Sequence, residues 1–332
     1  MSGTTLDPGR FLRVAIGLVA GLCALSGTVS ADGLGERLHA AWSQPRAAEF
    51  AAASALIAPA VQAVCDASGD GAEPALALAR QRWLGALTSW ERLSGVAFGT
   101  LLERRLQRQI DFTPTRPRLI AKAIKAAPAS AADMELIGTP AKGLPALEWL
   151  LWVNPVQPAS PACRYAVQVA AAIEREAQSL AAASVPQVDD QTALSELVNQ
   201  WIGGLERLRW ANMEMPARVA LTSGGRDVPD FPRRHAGASA ASWAAEWEAL
   251  RGLATGAVSM EATLRERGRN AAADAFAQAM RQTDAAMQAL TAEDTPRLLA
   301  VAAQLATLKR GVEDTVAPAL GVNIGFSDAD GD

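Results

Sequence analysis

The chain offers very little from which to build a strand. Alanine is its commonest residue, Tyr occurs once, and runs of β-branched residues are scarce. Alanine and leucine favour helices, whereas strands draw on the branched and aromatic types that are thin here. Leu76, Leu78, Trp83, Leu87, Trp90 and Leu93 recur at a spacing that lines one side of a helix. An all-α protein is the expectation. With 332 residues, half of them hydrophobic, the chain is long enough for one large or two ordinary domains with real cores. Its formal charge of −4 is spread over both signs with no basic stripe, which argues against a nucleic-acid partner.

The first 31 residues read as a secretory signal peptide. Arg10 and Arg13 precede an apolar run over 14–25, and Val29-Ser30-Ala31 makes a small-residue cleavage site. Maturation before Asp32 would deliver the protein to the periplasm or the medium. The run is short for a membrane span, and no later stretch reads as long and uncharged enough to be one. Cys23 raises a lipid anchor as the lesser alternative, because Leu22 is bulky where such a site wants a small residue. Cleavage leaves Cys65 and Cys163. An even pair in an oxidising compartment predicts a disulfide, the alternative being two buried thiols.

Helical patterns then follow one another along the chain. The first covers 35–67 and is broken by Pro45 and Pro59. The second opens at Glu73-Pro74 after a turn at 68–71. Short helices at 101–110 and 118–127 precede a long connection over 128–142, and Pro145 opens the next helix. A break at 154–161 leads to a helix over 163–183. After a linker at 186–190 come a long helix over 194–221, a Gly-, Pro- and Arg-rich loop over 223–235, and runs at 239–265, 269–290 and 295–316. The expected architecture is two packed antiparallel bundles, 32–187 and 188–320, with a cleft between them and an acidic tail over 321–332.

Few residues suggest chemistry. Glu148 stands among Leu147, Trp149, Leu150 and Leu151, so it is expected to be buried and to need a partner such as Arg. His39 and His235 are the only histidines, too few and too scattered for a conventional zinc site. Ser239 lies near His235, but the Gly-x-Ser-x-Gly turn of a serine hydrolase is absent. Arg104, Arg105, Arg108, Arg116 and Arg118 read as a solvated helix face. The alternative is that some of them, with Arg233 or Arg234, enter the cleft to bind an anion or to pair with Glu91 and Glu148. The acidic ending Asp328-x-Asp330-Gly331-Asp332 is too short for an EF-hand loop.

The segment Gly143-Leu144-Pro145-Ala146-Leu147-Glu148-Trp149-Leu150-Leu151 resembles the signature of the imelysin family, Gly-x-His-x-x-Glu followed by an aromatic residue and leucines, with Pro145 in place of the His. The order of the helix ending in Cys65, the Trp83–Trp90 helix, the Cys163-Arg164-Tyr165 helix start, the Arg234-His235-Ala236-Gly237-Ala238-Ser239 segment and the ending from Gly321 extends the likeness over most of the chain. The resemblance implies a bacterial envelope protein of two helical bundles, linked to iron uptake or iron-regulated expression and grouped with metallopeptidases. It carries over Gly143 and Glu148 as cleft residues, with Glu148 as the one candidate ligand for iron or another divalent metal. Glu91, Arg118, Arg234 and Ser239 complete the expected binding set, and no catalytic residue is assigned. The expected function is non-catalytic binding of a small molecule, metal or peptide. The alternatives are a metallopeptidase with a non-standard site and a scaffold for another envelope protein.

Overall fold

The computed structural model describes residues 33–325 except Pro186, Ser223, Gly225 and Ala289, together with Met1 and Gly3. The proposed signal peptide, Cys23 and the acidic end of the tail lie outside the described residues. Among the described residues every regular element is helical. Residues from Gly33 onward belong to one compact unit.

The first helical region enters as α1 (Leu34–Leu38), α2 (Gln44–Ser54) and α3 (Ile57–Asp66), with a π-helical turn at His39–Ser43 between the first two. By length and hydropathy Leu34–Asp66 could cross a membrane, which corrects the expectation that nothing after the signal peptide could. In the fold Phe50, Ile57 and Val61 of this stretch are sealed in a protein core. The long helix α4 (Ala72–Ser94) packs on α2 and α3 and buries Trp83, Leu87 and Trp90, the stripe legible in the sequence. Short helices α5 (Thr100–Glu103), α6 (Leu106–Ile110) and α7 (Pro117–Ala126) follow.

The connection over 128–142 is better ordered than its composition suggests. It holds α8 (Ala131–Glu135), started by a capping box in which Ser130 Oγ accepts from the Asp133 N–H and Asp133 accepts from the Ser130 N–H. Tyr165 donates its hydroxyl to the Ala141 carbonyl and fixes the end of the segment. Then come α9 (Gly143–Glu148), a π turn at Trp149–Val153, and α10 (Pro161–Ala181), which packs against α2 and α3. Cys163 at the start of α10 bonds Cys65 at the end of α3, closing a loop across 98 residues of sequence. The expected disulfide pair is therefore in place.

The second region contains α11 (Asp190–Glu206), a long π segment at Arg207–Glu214, α12 (Met215–Thr222), α13 (Ser239–Thr255), α14 (Met260–Glu266), α15 (Asn270–Met287), α16 (Thr295–Gly311), a π turn at Val312–Val316 and α17 (Ala317–Ala319). Two apolar cores result, one centred on α2, α3, α4 and α10 and the other on α11, α13, α15 and α16. They do not divide the chain in strict sequence order. Leu34, Leu38, Trp42 and Val96 belong to the second core, and Ala238 belongs to the first.

The two cores meet where α4 packs on α13. The end of α4 requires close backbone approach. A Cβ on Gly204 would lie 2.0 Å from the Gly95 carbonyl oxygen, and one on Gly95 would lie 2.6 Å from the Ala249 Cβ. Glycine is the residue that permits such a crossing.

Candidate functional site

Beside this crossing, a cleft of about 430 Å³ opens between the two regions. Its ionisable walls come from both. The end of α4 supplies Glu91, α6 supplies Arg108, the following loop supplies Asp111, the π segment supplies Arg207, and the turn before α13 supplies Arg233.

Arg233 is the centre of the network. It sits in a left-handed conformation, φ +66°, which is unusual for a residue with a side chain and is sustained only where the surroundings fix it. This backbone turns the guanidinium inward. Arg233 donates to Asp111 at 2.5 Å and to Glu91 at 3.3 Å. Asp111 also accepts from the Trp90 indole N–H, and Glu91 accepts from the Ser242 hydroxyl at 2.7 Å. Burial works against the charge on Arg233, yet Asp111 and Glu91 together hold its pKa above the usual arginine value.

The second arginine depends on helix geometry. Bonding from i to i+5 widens the Arg207–Glu214 segment, so Arg207 and Asn212, five apart, reach the same carboxylate. Asn212 donates to both oxygens of buried Glu246 at 2.8 and 3.0 Å, and Arg207 Nε lies 3.6 Å from Glu246 Oε2. Arg207 Nη2 donates to the Ser94 carbonyl at the end of α4, joining the two regions. Its Nη1 makes no hydrogen bond to any described residue.

Burial and repulsion between carboxylates control the protons here. Glu91 is pushed up to about 8, first by burial and then by Glu246. Burial also raises Glu246, with Arg207 and Asn212 opposing it. At neutral pH Glu91 is therefore largely protonated, while the short contact to Asp111 receives most of the Arg233 charge. The Glu91 Oε1 atom engages Arg233 and Ser242, whereas its Oε2 accepts from no described residue.

The expected residues are distributed unevenly around this site. Glu91 is central to it. Glu148 is buried behind Arg233, outside the cleft wall, where its Oε1 accepts from the Ala236 N–H at 3.1 Å. Burial raises its pKa, and Arg233, the Ala236 N–H and the nearby charge of His235 oppose that rise. Gly143 is structural: φ is +76° and a Cβ would lie 2.2 Å from the Ile110 carbonyl oxygen, so a side chain cannot fit. Arg118 is exposed on α7 and does not line the cleft. Arg234 also points away, pairing with Asp230 on the surface, while its neighbour Arg233 takes the inward place. Ser239 donates to the Pro232 carbonyl and closes the turn, and it is Ser242, one turn later, that reaches Glu91. His39 lines a separate crevice with Trp42.

Asp111, Arg207, Asn212, Ser242 and Glu246 were not singled out in the sequence. A shared signal was available for part of the set: Glu91, Glu148 and Glu246 each adjoin a Trp on a helix with an apolar stripe, and all three are buried. A carboxylate in phase with such a stripe must find a partner. The π segment that aligns Arg207 with Asn212 has no comparable signature.

The donor set does not fit a resident metal. Pro145 has no ligand atom, and among the described residues no three His, Cys, Asp or Glu side chains converge suitably for a metal. Asp111 and Glu246 already use both oxygens on protein donors.

Comparison with solved structures places the fold. An imelysin-like protein from Psychrobacter arcticum 273-4 superposes with a TM-score of 0.70 at 22% identity, covering 88% of this chain and 96% of that one. A "putative iron-regulated protein A precursor" from Parabacteroides distasonis ATCC 8503 gives a TM-score of 0.70 at 15% identity, covering 86% and 94%. A comparison with curated proteins found no match. The model of the Imelysin family matches residues 43–320, and with nearly the whole helical unit inside that match the chain belongs to the imelysin family.

Proposed function

We propose that this imelysin-family protein is exported to the bacterial envelope and binds a small polar ligand in the cleft between its two helical regions, without catalysing a reaction. The observation that carries this reading is the cleft itself, a 430 Å³ space lined by Glu91, Asp111, Arg207 and Arg233 from both regions. The residues at 1–31 and the Cys65–Cys163 pair support export. An iron-linked setting is in keeping with the iron-regulated description of the Parabacteroides distasonis protein. Peptidase chemistry lacks support because the motif His is Pro145 and, among the described residues, no set of metal ligands takes its place.

The test combines metal analysis of the purified full chain with peptide hydrolysis in the presence and absence of chelator. The expected result is no stoichiometric metal and no cleavage. Bound metal together with chelator-sensitive cleavage would overturn the reading. A scaffold role has one specific observation in its favour: Trp210, Met215, Val219 and Leu221 are exposed along the π segment and α12. Retention of cleft-ligand binding when this stripe is made polar separates the two roles.

A further inference from the structure

We infer that the ligand of the cleft is a small organic carboxylate, received by Arg207 Nη1 and by the Glu91 Oε2 atom acting as a hydrogen-bond donor. This inference rests on the cleft being a ligand seat and adds the chemical class that it takes.

Three observations lead to it. First, Arg207 and Arg233 on the cleft wall are balanced by Glu246 and Asp111, so with Glu91 holding its proton an incoming anion meets no unmatched negative charge. Second, two of the cleft groups with spare bonding capacity are of the kinds that recognise a carboxylate. Arg207 Nη1 is a charged donor without a partner among the described residues, on a side chain fixed by Ser94 and Glu246. Glu91 Oε2 is similarly unpartnered, on a carboxyl fixed through its other oxygen by Ser242 and Arg233. Third, Phe112 and Pro232 give the same cleft apolar surface for a carbon skeleton, which an inorganic anion would not use.

The protonation state agrees with this geometry. Glu91 faces Asp111 from the loop, Arg233 and Ser242 from the turn and α13, and Glu246 with its partner Arg207 from α13 and the π segment, while Glu148 acts on Arg233 from behind. Burial and the neighbouring Glu246 keep its proton up to about pH 8. A carboxylate placed beside it makes that proton harder to lose, so anion binding and proton retention favour each other. A cationic ligand would reverse this linkage by expelling the proton.

The experiment is calorimetric titration of the full chain with acetate, succinate, citrate and benzoate, alongside phosphate, methylammonium and guanidinium as probes. At least one carboxylate is expected to bind, with affinity steady below about pH 8 and falling by up to about tenfold per pH unit above it. Titration near pH 8 in buffers of different ionisation enthalpy should register net proton uptake. Arg207→Gln is expected to weaken binding at least tenfold. Because Arg207 also holds the end of α4, Thr113→Glu provides a second variant at an exposed position on the wall, where an added negative charge should weaken binding without breaking a contact within the protein. Binding of phosphate alone, or of a cation with proton release, overturns the carboxylate assignment while leaving the cleft as a ligand seat. If neither variant alters any binding observed, or no probe binds, both the carboxylate assignment and the ligand seat in this cleft are overturned.

Discussion

Two neighbouring parts of the seam between the cores join helices by opposite means. At the dry part Gly95, Gly204 and Ala249 let backbones approach until no side chain fits. At the wet part Glu91, Asp111, Glu246, Arg207 and Arg233 hold the same regions apart around a cleft. The dry contact tolerates almost no change in volume and responds to no solution condition. The wet contact adjusts to the charge and protonation of its members. This places adaptability next to rigidity, so the ligand proposed for the cleft would work against a fixed fulcrum.

The most severe way to break the wet part is Arg233→Met. It leaves Glu91, Asp111 and Glu148 without their shared cation and should cost about 3–5 kcal/mol in denaturant unfolding. Partial recovery at low pH, as the carboxylates take protons, would identify the loss as electrostatic. A loss independent of pH would assign it to packing. The matching change in the dry part is Gly204→Ala, expected to cost about 2–3 kcal/mol because the added methyl meets the Gly95 carbonyl oxygen. Its loss should not vary with pH.

Glu91→Gln sharpens the contrast further. The native Glu91 pKa of about 8 lies above the ordinary value of 4.5, so between those values the folded protein holds a proton that the unfolded chain releases. Its contribution therefore favours folding at the acid end of this window and is lost as pH rises toward 8, at up to about 1.4 kcal/mol per pH unit. Glu148 and Glu246 shift in the same direction. Glu91→Gln should flatten the fall in unfolding free energy across the window. An unchanged slope would mean that Glu91 is ionised in the fold. The smallest effect belongs to the half-exposed Arg92–Glu248 pair at the edge of the seam, where Arg92→Gln should cost about 0.5 kcal/mol and lose even that at high salt.

Much of the scaffold is legible in the sequence. The Trp83 and Trp90 stripe, the breaks around Pro45 and Pro59 and the break at 154–161 before α10 are local signals, and local signals determine helices. The π segments are less accessible, because a single extra residue in a helix leaves the composition unchanged. The cleft is legible only in part. Glu91 and the inward arginine follow from the rule that buried charge needs a partner, but Arg233 rather than Arg234 fills that place because of one left-handed backbone angle. The family signature at Gly143–Glu148 draws attention to a helix start whose glycine is dictated by the Ile110 carbonyl and whose carboxylate supports Arg233 from outside the cleft.

The π segment at Arg207–Glu214 has a consequence for everything that follows it. An α-helix advances about 100° per residue, so removing the one residue accommodated by the wider turns would rotate α12 by roughly that angle about its axis. Pro216, Ala217 and Ala220 would swing out of the interior while the exposed Met215 and Val219 changed sides. The segment thus works as a phase shifter, giving one continuous helix a polar bearing toward Glu246 at its start and an independently set apolar bearing at its end.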